Sequence, residues 1–471
     1  MKLFLVLSLF ISFQSFTHQN ASPDFFQLYS EERDLIVEIS FKNDKNIVTQ
    51  LNESGYDIAG IDHNHQVIEV VVNQNEYQHL KESSLSPRVV MTKFLLAAPD
   101  EEYKNPEEIE KILYDFETAY PDLAKVHVVG QSVEGRKIFA IQLSKKNQSE
   151  KPSVLFNGMH HAREVMSPEV NLDIIEYLLS NYKSQEKVQF WLNNLNVWVL
   201  PMLNVDGNVK VWNKNAMWRK NTKNKHGVDI NRNYPHRWNG CRGSSGWKWS
   251  DTYRGDSPAS EPETNTLMDL VKQIRPVFDI SYHAYSQLVI YPYGCKGERT
   301  QNKQVVEKIG KKLGQLVDYK PGTSWETLYS VDGSDIDWMY HEYNVIPYVL
   351  ELNSRAEGFQ PNYKKWRNKT VEKNRVAWQY LLNRMFQSGV KGKIKIQGQE
   401  LPMDTKISVL QLQGKSQSYL KQYEYKLRAN GGFYLILTPG SYKVQVNYQG
   451  KNFLSEPITV QKTLIERNLD L

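Results

Sequence analysis

Two residues three positions apart open the chemistry of this chain. His161 and Glu164 lie in GMHHARE, directly after the apolar run PSVLFNG, which reads as a buried strand. An imidazole and a carboxylate at that spacing can turn toward one cation, and nitrogen with oxygen donors suits Zn²⁺. A catalytic zinc takes three protein groups and keeps a fourth position open, so a third ligand is required. His283, in DISYHAYSQ, ends another apolar run and is the natural one. Glu351 closes VIPYVLEL, and a carboxylate on so apolar a strand is costly unless it is paired or functional. As a general base it would take a proton from a water made acidic by the metal. Arg219, in MWRKN, and Arg232, in VDINRN, carry guanidiniums, able to polarise a carbonyl or to hold a carboxylate through a bidentate fork. Read singly, the histidine is a satisfied structural residue and each arginine a surface charge, whereas for the glutamate an exposed strand end is only the alternative to a functional carboxylate. His341-Glu342 does not compete, because Val345 stands where a metalloprotease helix needs its second histidine.

The elements that must position these residues are legible as well. KIFAIQLS, PSVLFNG, NVWVLPMLN, PVFDISY and VIPYVLEL have strand length, and EEIEKILYDFETAYP is an amphipathic helix. Continuously apolar strands separated by helices predict an α/β unit with a mixed, largely parallel sheet sandwiched by helices. Ligands of such sheets bind beyond the carboxyl ends of the strands. His161 and Glu164 follow the second run, Asn204 and Asp206 the third, while His283 ends the fourth and Glu351 the fifth. That shared position predicts a single site.

The 471 residues suffice for two to four domains, with 40% hydrophobic content and a net charge of only +5, so charge implies no nucleic-acid partner. Residues 1–18, MKLFLVLSLFISFQSFTH, resemble a secretory signal; the apolar run falls short of the roughly 18 residues a membrane anchor needs. The expectation is therefore a secreted, extracellular protein (periplasmic if the source is Gram-negative) without stable membrane insertion. Residues 24–98 alternate strands with helices as a small α/β open sandwich, and His63, His65 and His79 there lie in polar company. AAPDEEYKNPEE reads as a linker. From 389 to 471 short strands alternate with Gly-rich turns, the pattern of a β-sandwich. Cys241 and Cys295 are the only cysteines; they either pair or stand as separate buried thiols, and the sequence leaves both open.

GMHHARE, NVDG, MWRKN, GVDINRN, SYHAYSQLVIYPYG, GSDIDW and LEL, with the YRG…SEPE segment at 253–263, together resemble the zinc metallocarboxypeptidases of the carboxypeptidase A type. The likeness runs over about residues 102–386 in family order and implies a catalytic domain over 102–387. It implies one Zn²⁺ per chain on His161, Glu164 and His283, with Arg219 polarising the scissile carbonyl and Glu351 as the general base. It further implies that Asn231, Arg232 and Tyr329 clamp the substrate's terminal carboxylate, aided by Arg163 and Tyr285, and that Asp229 orients the first histidine ligand. The family's usual serine after the third ligand is Ala284 here. Residues 24–98 then look like a propeptide, residues 389–471 like a transthyretin-like domain, and the partners implied are peptides or proteins with a free C-terminus and an activating protease. Side chains expected to line the specificity pocket are Ile290, Gly294, Leu328, Val331, Ile336 and Val349. Ile336 stands where basic-specific relatives place an acid, which implies a preference for aromatic and large aliphatic C-terminal residues, with Asp335 turned away from the pocket. A non-catalytic binding protein on the same fold, or an amidase or deacylase of the same clan, is the alternative. The complete set of ligands, electrophile and base argues against the first, and the carboxylate clamp against the second.

Overall fold

Residues Ser153–Gly158, Phe278–Ala284 and Ile346–Leu352 are buried almost end to end, and they form the middle of an eight-stranded sheet. A computed structural model describes residues 35–42, 44, 46–91, 98–145, 151–413 and 418–471. The signal segment expected at 1–18 lies outside them, as do residues 92–97, which include the first residue of the expected linker.

The first unit is a four-stranded antiparallel sheet, β1 (Leu35–Ser40), β2 (Asp57–Asp62), β3 (Val67–Val72) and β4 (Arg88–Met91), in the order β2-β3-β1-β4. β2 forms an edge of the sheet. Helices Ile47–Glu53 and Gln74–Glu82 cover a small core that includes Val37, Ile39, Ile68, Val70 and Leu80.

The large sheet holds β5 (Ala124–Gln131), β6 (Lys137–Leu143), β7 (Ser153–Gly158), β8 (Asn196–Leu200), β9 (Phe278–Ala284), β10 (Leu288–Ile290), β11 (Lys320–Gly322) and β12 (Ile346–Leu352), ordered β11-β10-β12-β9-β7-β8-β6-β5. Strands β12, β9, β7 and β8 run parallel, as does β11 with β10, whereas β10 against β12, β8 against β6 and β6 against β5 are antiparallel. The parallel centre is buried on both faces, which is why its sequences read as unbroken apolar runs. β5, β10 and β11 are missing from the sequence reading, because β5 buries only Ala124 and Val126 and the other two are three residues long. Helices Met166–Asn181, Lys303–Val317 and Tyr363–Arg384 pack together against the sheet, and Pro106–Ala119 and Pro262–Ile274 flank β5. The helix at 106 starts where Asn105 and Glu108 form a capping box with Pro106 in the first turn.

Residues from Gly389 onward form two five-stranded sheets around a separate core that includes Val390, Ile394, Val409, Tyr423 and Val444. Among the described residues no helix is long and apolar enough to cross a membrane.

Candidate active site

The chain leaves β7 through a left-handed turn at Met159, a buried residue with φ of 58°, a conformation that non-glycine residues adopt only when their surroundings hold them. The surroundings are specific. Ser167 accepts the Met159 N–H at 3.0 Å and donates to the Glu164 carbonyl at 2.9 Å. Asn204 donates to the His160 carbonyl and Asn208 to that of Ala162, at 2.9 and 3.1 Å. Asn204 therefore shapes the site from behind. Asp206 does not belong to it: its carboxylate binds Arg136 and the Glu134 N–H, both at 2.7 Å. The expectation that both residues after the third apolar run serve the site is corrected for Asp206.

The turn delivers His161 and Glu164 beside the end of β9, where His283 sits. His161 Nδ1 lies 2.6 Å from Glu164 Oε1, His283 Nδ1 lies 3.1 Å from Glu164 Oε2, and the two Nδ1 atoms are 3.2 Å apart. Nitrogen and oxygen lone pairs thus converge at separations typical of neighbouring ligands on one ion at about 2.1 Å from each. Burial alone would raise the Glu164 carboxyl, but His161 and His283 outweigh it and hold it below the ordinary range. Burial opposes protonation of His283, yet Glu164 pushes it up to about 9. A carboxylate held ionised between two imidazoles offers oxygen and nitrogen donors, a set that fits a divalent cation in place of the proton.

Strand register places the expected base. Glu351 on β12 pairs with His283 on β9 across a parallel ladder, so both side chains leave the same strand ends on the same face. Burial pushes the Glu351 carboxyl up to about 8, with His283 opposing the rise and Glu164 adding to it. Arg219 donates through Nε and Nη2 to Asp229 Oδ2 at 3.2 and 2.9 Å, and Asp229 Oδ1 lies 3.3 Å from His161 Nε2. Burial alone would raise the Asp229 carboxyl, but Arg219, Arg232 and His161 hold it well below its usual range. Asn231, Arg232, Tyr285 and Tyr329 face the same cleft as His161, Arg219 and Glu351. Arg232 is fixed by bonds from Nε to the Gly243 carbonyl and from Nη1 to that of Asn231, at 3.1 and 2.8 Å.

The first unit closes over this cleft along β2, whose Ile58 and Ala59 line it. Asp57 sits 2.7 Å from Arg163 Nη1, and Arg163 stacks on Phe359 at 4.1 Å. Tyr285 donates to Glu69 at 2.8 Å, and Tyr329 packs on the first unit's core. Arg355 gathers Glu38, Asp62 and Glu69 of the same unit. Sequence reasoning missed Asp57, Glu69 and Phe359. A signal for Glu69 was present in VIEVVV, a carboxylate on a near-continuous apolar strand, the pattern that had singled out Glu351.

Behind the cleft Ile290, Leu328, Val331, Ile336 and Val349 form an apolar recess, with Ser324 and Asp337 at its polar side. Gly294 packs against the same residues: a Cβ there would meet the Val331 carbonyl at 2.4 Å, Asp337 Oδ2 at 3.1 Å and the Ser324 hydroxyl at 3.2 Å. Asp335 and Ile336 begin the helix Asp335–Tyr343, capped by Ser334. Successive residues of a helix point about 100° apart, so Ile336 faces the recess while Asp335 turns toward His160, 3.6 Å away. The segment is helical, not extended. Cys241 and Cys295 form a disulfide.

A family model described as zinc carboxypeptidase matches residues 109–376. Among curated proteins, carboxypeptidase A6 of Mus musculus is 32% identical over 272 residues, 55% of this chain and 61% of that protein. Carboxypeptidase B of Rattus norvegicus is 30% identical over 296 residues, 60% of this chain and 70% of that one. The match to the first thus spans less than two thirds of that relative's length. Among solved structures, thrombin activatable fibrinolysis inhibitor shares the fold at a TM-score of 0.64 and 24% identity, over 75% of this chain and 98% of that one.

Proposed function

The chain belongs to the zinc carboxypeptidase family, and on that premise we propose that it is an exported metallocarboxypeptidase, made latent, that hydrolyses the last peptide bond of peptides and proteins with a free C-terminus. The observation that carries the reading is the convergence of His161, Glu164 and His283 with Glu351, Arg219, Asn231, Arg232 and Tyr329 on one cleft. His161, Glu164 and His283 would hold a zinc ion, whose Lewis acidity would polarise the scissile carbonyl and ease loss of a proton from water. Glu351 takes the proton of the attacking water and returns it to the departing amine. Arg219 donates to the oxygen that gains negative charge, while Asp229 holds both Arg219 and His161 in place. Asn231, Arg232 and Tyr329 bind the terminal carboxylate, with Arg163 and Tyr285 as further donors.

The recess gives the preference. A phenylalanine or leucine side chain gains roughly 1.5–3 kcal/mol by burial among Ile290, Leu328, Ile336 and Val349. An ammonium there has no carboxylate at position 336 to meet it. Burial pushes Asp337 up to about 7, and its Oδ2 already accepts the Gly294 N–H at 2.8 Å, which weakens it as a partner for a basic residue.

Latency follows from the contacts of β2 and β3. Arg163, Tyr285 and Tyr329, three of the five expected carboxylate contacts, are engaged by the first unit, so substrate cannot reach them until that unit leaves. Cleavage by another protease near 93–102 would release it. The Cys241–Cys295 bridge suits an oxidising compartment and supports export.

Zinc analysis with kcat/KM on blocked dipeptides ending in Phe and Arg, before and after limited proteolysis, tests all three parts. The expected result is one zinc per chain, activity that rises on cleavage, and preference for Phe. Protein without zinc or without turnover after clean cleavage overturns the enzyme reading. A ratio favouring Arg overturns the specificity alone.

A further inference from the structure

Asp335 has no exposed surface, and among the described residues neither of its carboxyl oxygens has a hydrogen-bond partner. A buried carboxyl group left so is costly, and such a group calls for a functional explanation. His160 does not satisfy it. The 3.6 Å from His160 Nε2 to Asp335 Oδ2 is beyond hydrogen-bond reach, and that nitrogen already meets the Tyr234 hydroxyl at 2.9 Å. The His160 ring instead stacks on His283, with centroids 5.3 Å apart and planes 20° from parallel. A ring nitrogen of His283, one of His160 and an oxygen of Asp335 all lie within 4.8 Å of one another.

His283 turns Nδ1 to Glu164 and His161, which leaves Nε2 on the other side of the ring. There the Asn231 amide nitrogen is 3.5 Å away, but an amide N–H is a donor and cannot take the imidazole's proton. Asn231 also fixes Asp335, since its Oδ1 accepts the Asp335 backbone N–H at 3.0 Å. The acceptor that His283 Nε2–H requires is therefore at hand in a carboxyl group that has nothing else to bind.

We propose that Asp335 is a positioning residue for the metal ligand His283: its carboxyl group, directly or through one bridging water, accepts the Nε2–H and so keeps Nδ1 free for the ion. The proposal rests on the zinc reading of His161, Glu164 and His283. It gives each histidine a carboxyl group behind it, Asp229 behind His161 at 3.3 Å and Asp335 behind His283. Such partners fix the tautomer and ring orientation of a ligand. A second cation on His160, His283 and Asp335 is disfavoured because Tyr234 already engages the His160 nitrogen.

The test compares the full chain with its Asp335→Asn variant. Competition against a chromophoric chelator should show zinc bound roughly 10- to 100-fold more weakly in the variant. The zinc-free variant should melt no lower than the zinc-free parent, because the substitution removes a buried, unpaired carboxyl group. In zinc-loaded, ¹⁵N-histidine-labelled protein the His283 Nε2–H resonance should move while that of His161 stays. If Asp335→Asn does not fold, Asp335→Ser gives the same readouts. Unchanged zinc affinity, or weaker zinc with an unmoved His283 resonance and a lower melting temperature, overturns the proposal; so does a parent chain that binds two ions. A parent that binds none overturns the metal-site reading and this proposal with it.

Discussion

At the residue scale the site depends on what burial does to Glu351. Its carboxyl is pushed up to about 8, and a cation on the neighbouring ligands would pull it back down. A general base must be deprotonated, so kcat/KM falls as pH drops through its pKa. The acid limb is expected between the ordinary 4.5 and about 8, read from a profile over pH 4–9; a limb at or below 4.5 would remove Glu351 as its origin. Glu351→Gln should keep metal and fold while losing nearly all turnover, because an amide cannot take the proton. Arg219→Ala should lower kcat by roughly 10²–10³, the scale of one lost oxyanion donor. Since Arg219 also holds Asp229 through two hydrogen bonds, single-turnover kinetics should be read together with zinc retention. Loss of zinc in parallel with loss of rate would assign Arg219 to the metal site instead.

At the scale of elements the proposed latency rests on the edge strand β2. Asp57 and Arg163 are both buried as a pair, and removing one member of a buried pair costs about 3–5 kcal/mol. Asp57→Ala should therefore loosen the first unit and raise the activity of the uncleaved chain. Gly60 offers an independent handle. A Cβ at that position would sit 2.9 Å from the Ser286 hydroxyl and 3.2 Å from the Tyr285 ring, so Gly60→Val should press β2 off the cleft. Both variants should match the parent after cleavage. Uncleaved variants no more active than the uncleaved parent would show that β2 does not control access.

At the scale of the whole molecule the last unit is joined to the fold by packing, and none of its described residues lines the cleft. Tyr434 and Ile436 belong to the same core as the large sheet, and Arg384 at the end of the helix Tyr363–Arg384 donates to the carbonyls of Gln387, Ser388 and Leu437. Arg275 pairs with Asp404, and Lys426 with Glu342. Ending the chain after 388 should lower the melting temperature by several degrees, since it strips a core face and leaves Arg384 without its Leu437 partner, while kcat/KM of the folded fraction stays unchanged. A fall in kcat/KM at constant melting temperature would mean that residues 389–471 act on substrate.

The sequence by itself determined the parallel centre of the sheet, because strands buried on both faces must be apolar throughout, and a polar residue closing such a strand stands out. His161, Glu164, His283 and Glu351 were legible for that reason. It could not tell that Asp206 serves Arg136 while Asn204 serves the site, since residues two apart look alike until the chain turns between them. Nor could it find the docking of β2 and β3, whose Asp57 and Glu69 meet Arg163 and Tyr285 from more than a hundred residues away. The pairing of Cys241 with Cys295 and the turning of Asp335 toward His160 belong to the tertiary structure for the same reason. Periodicity and burial are local properties that a sequence carries in its own order, whereas the partner of a charge, a thiol or a carboxyl group is fixed only when distant segments pack.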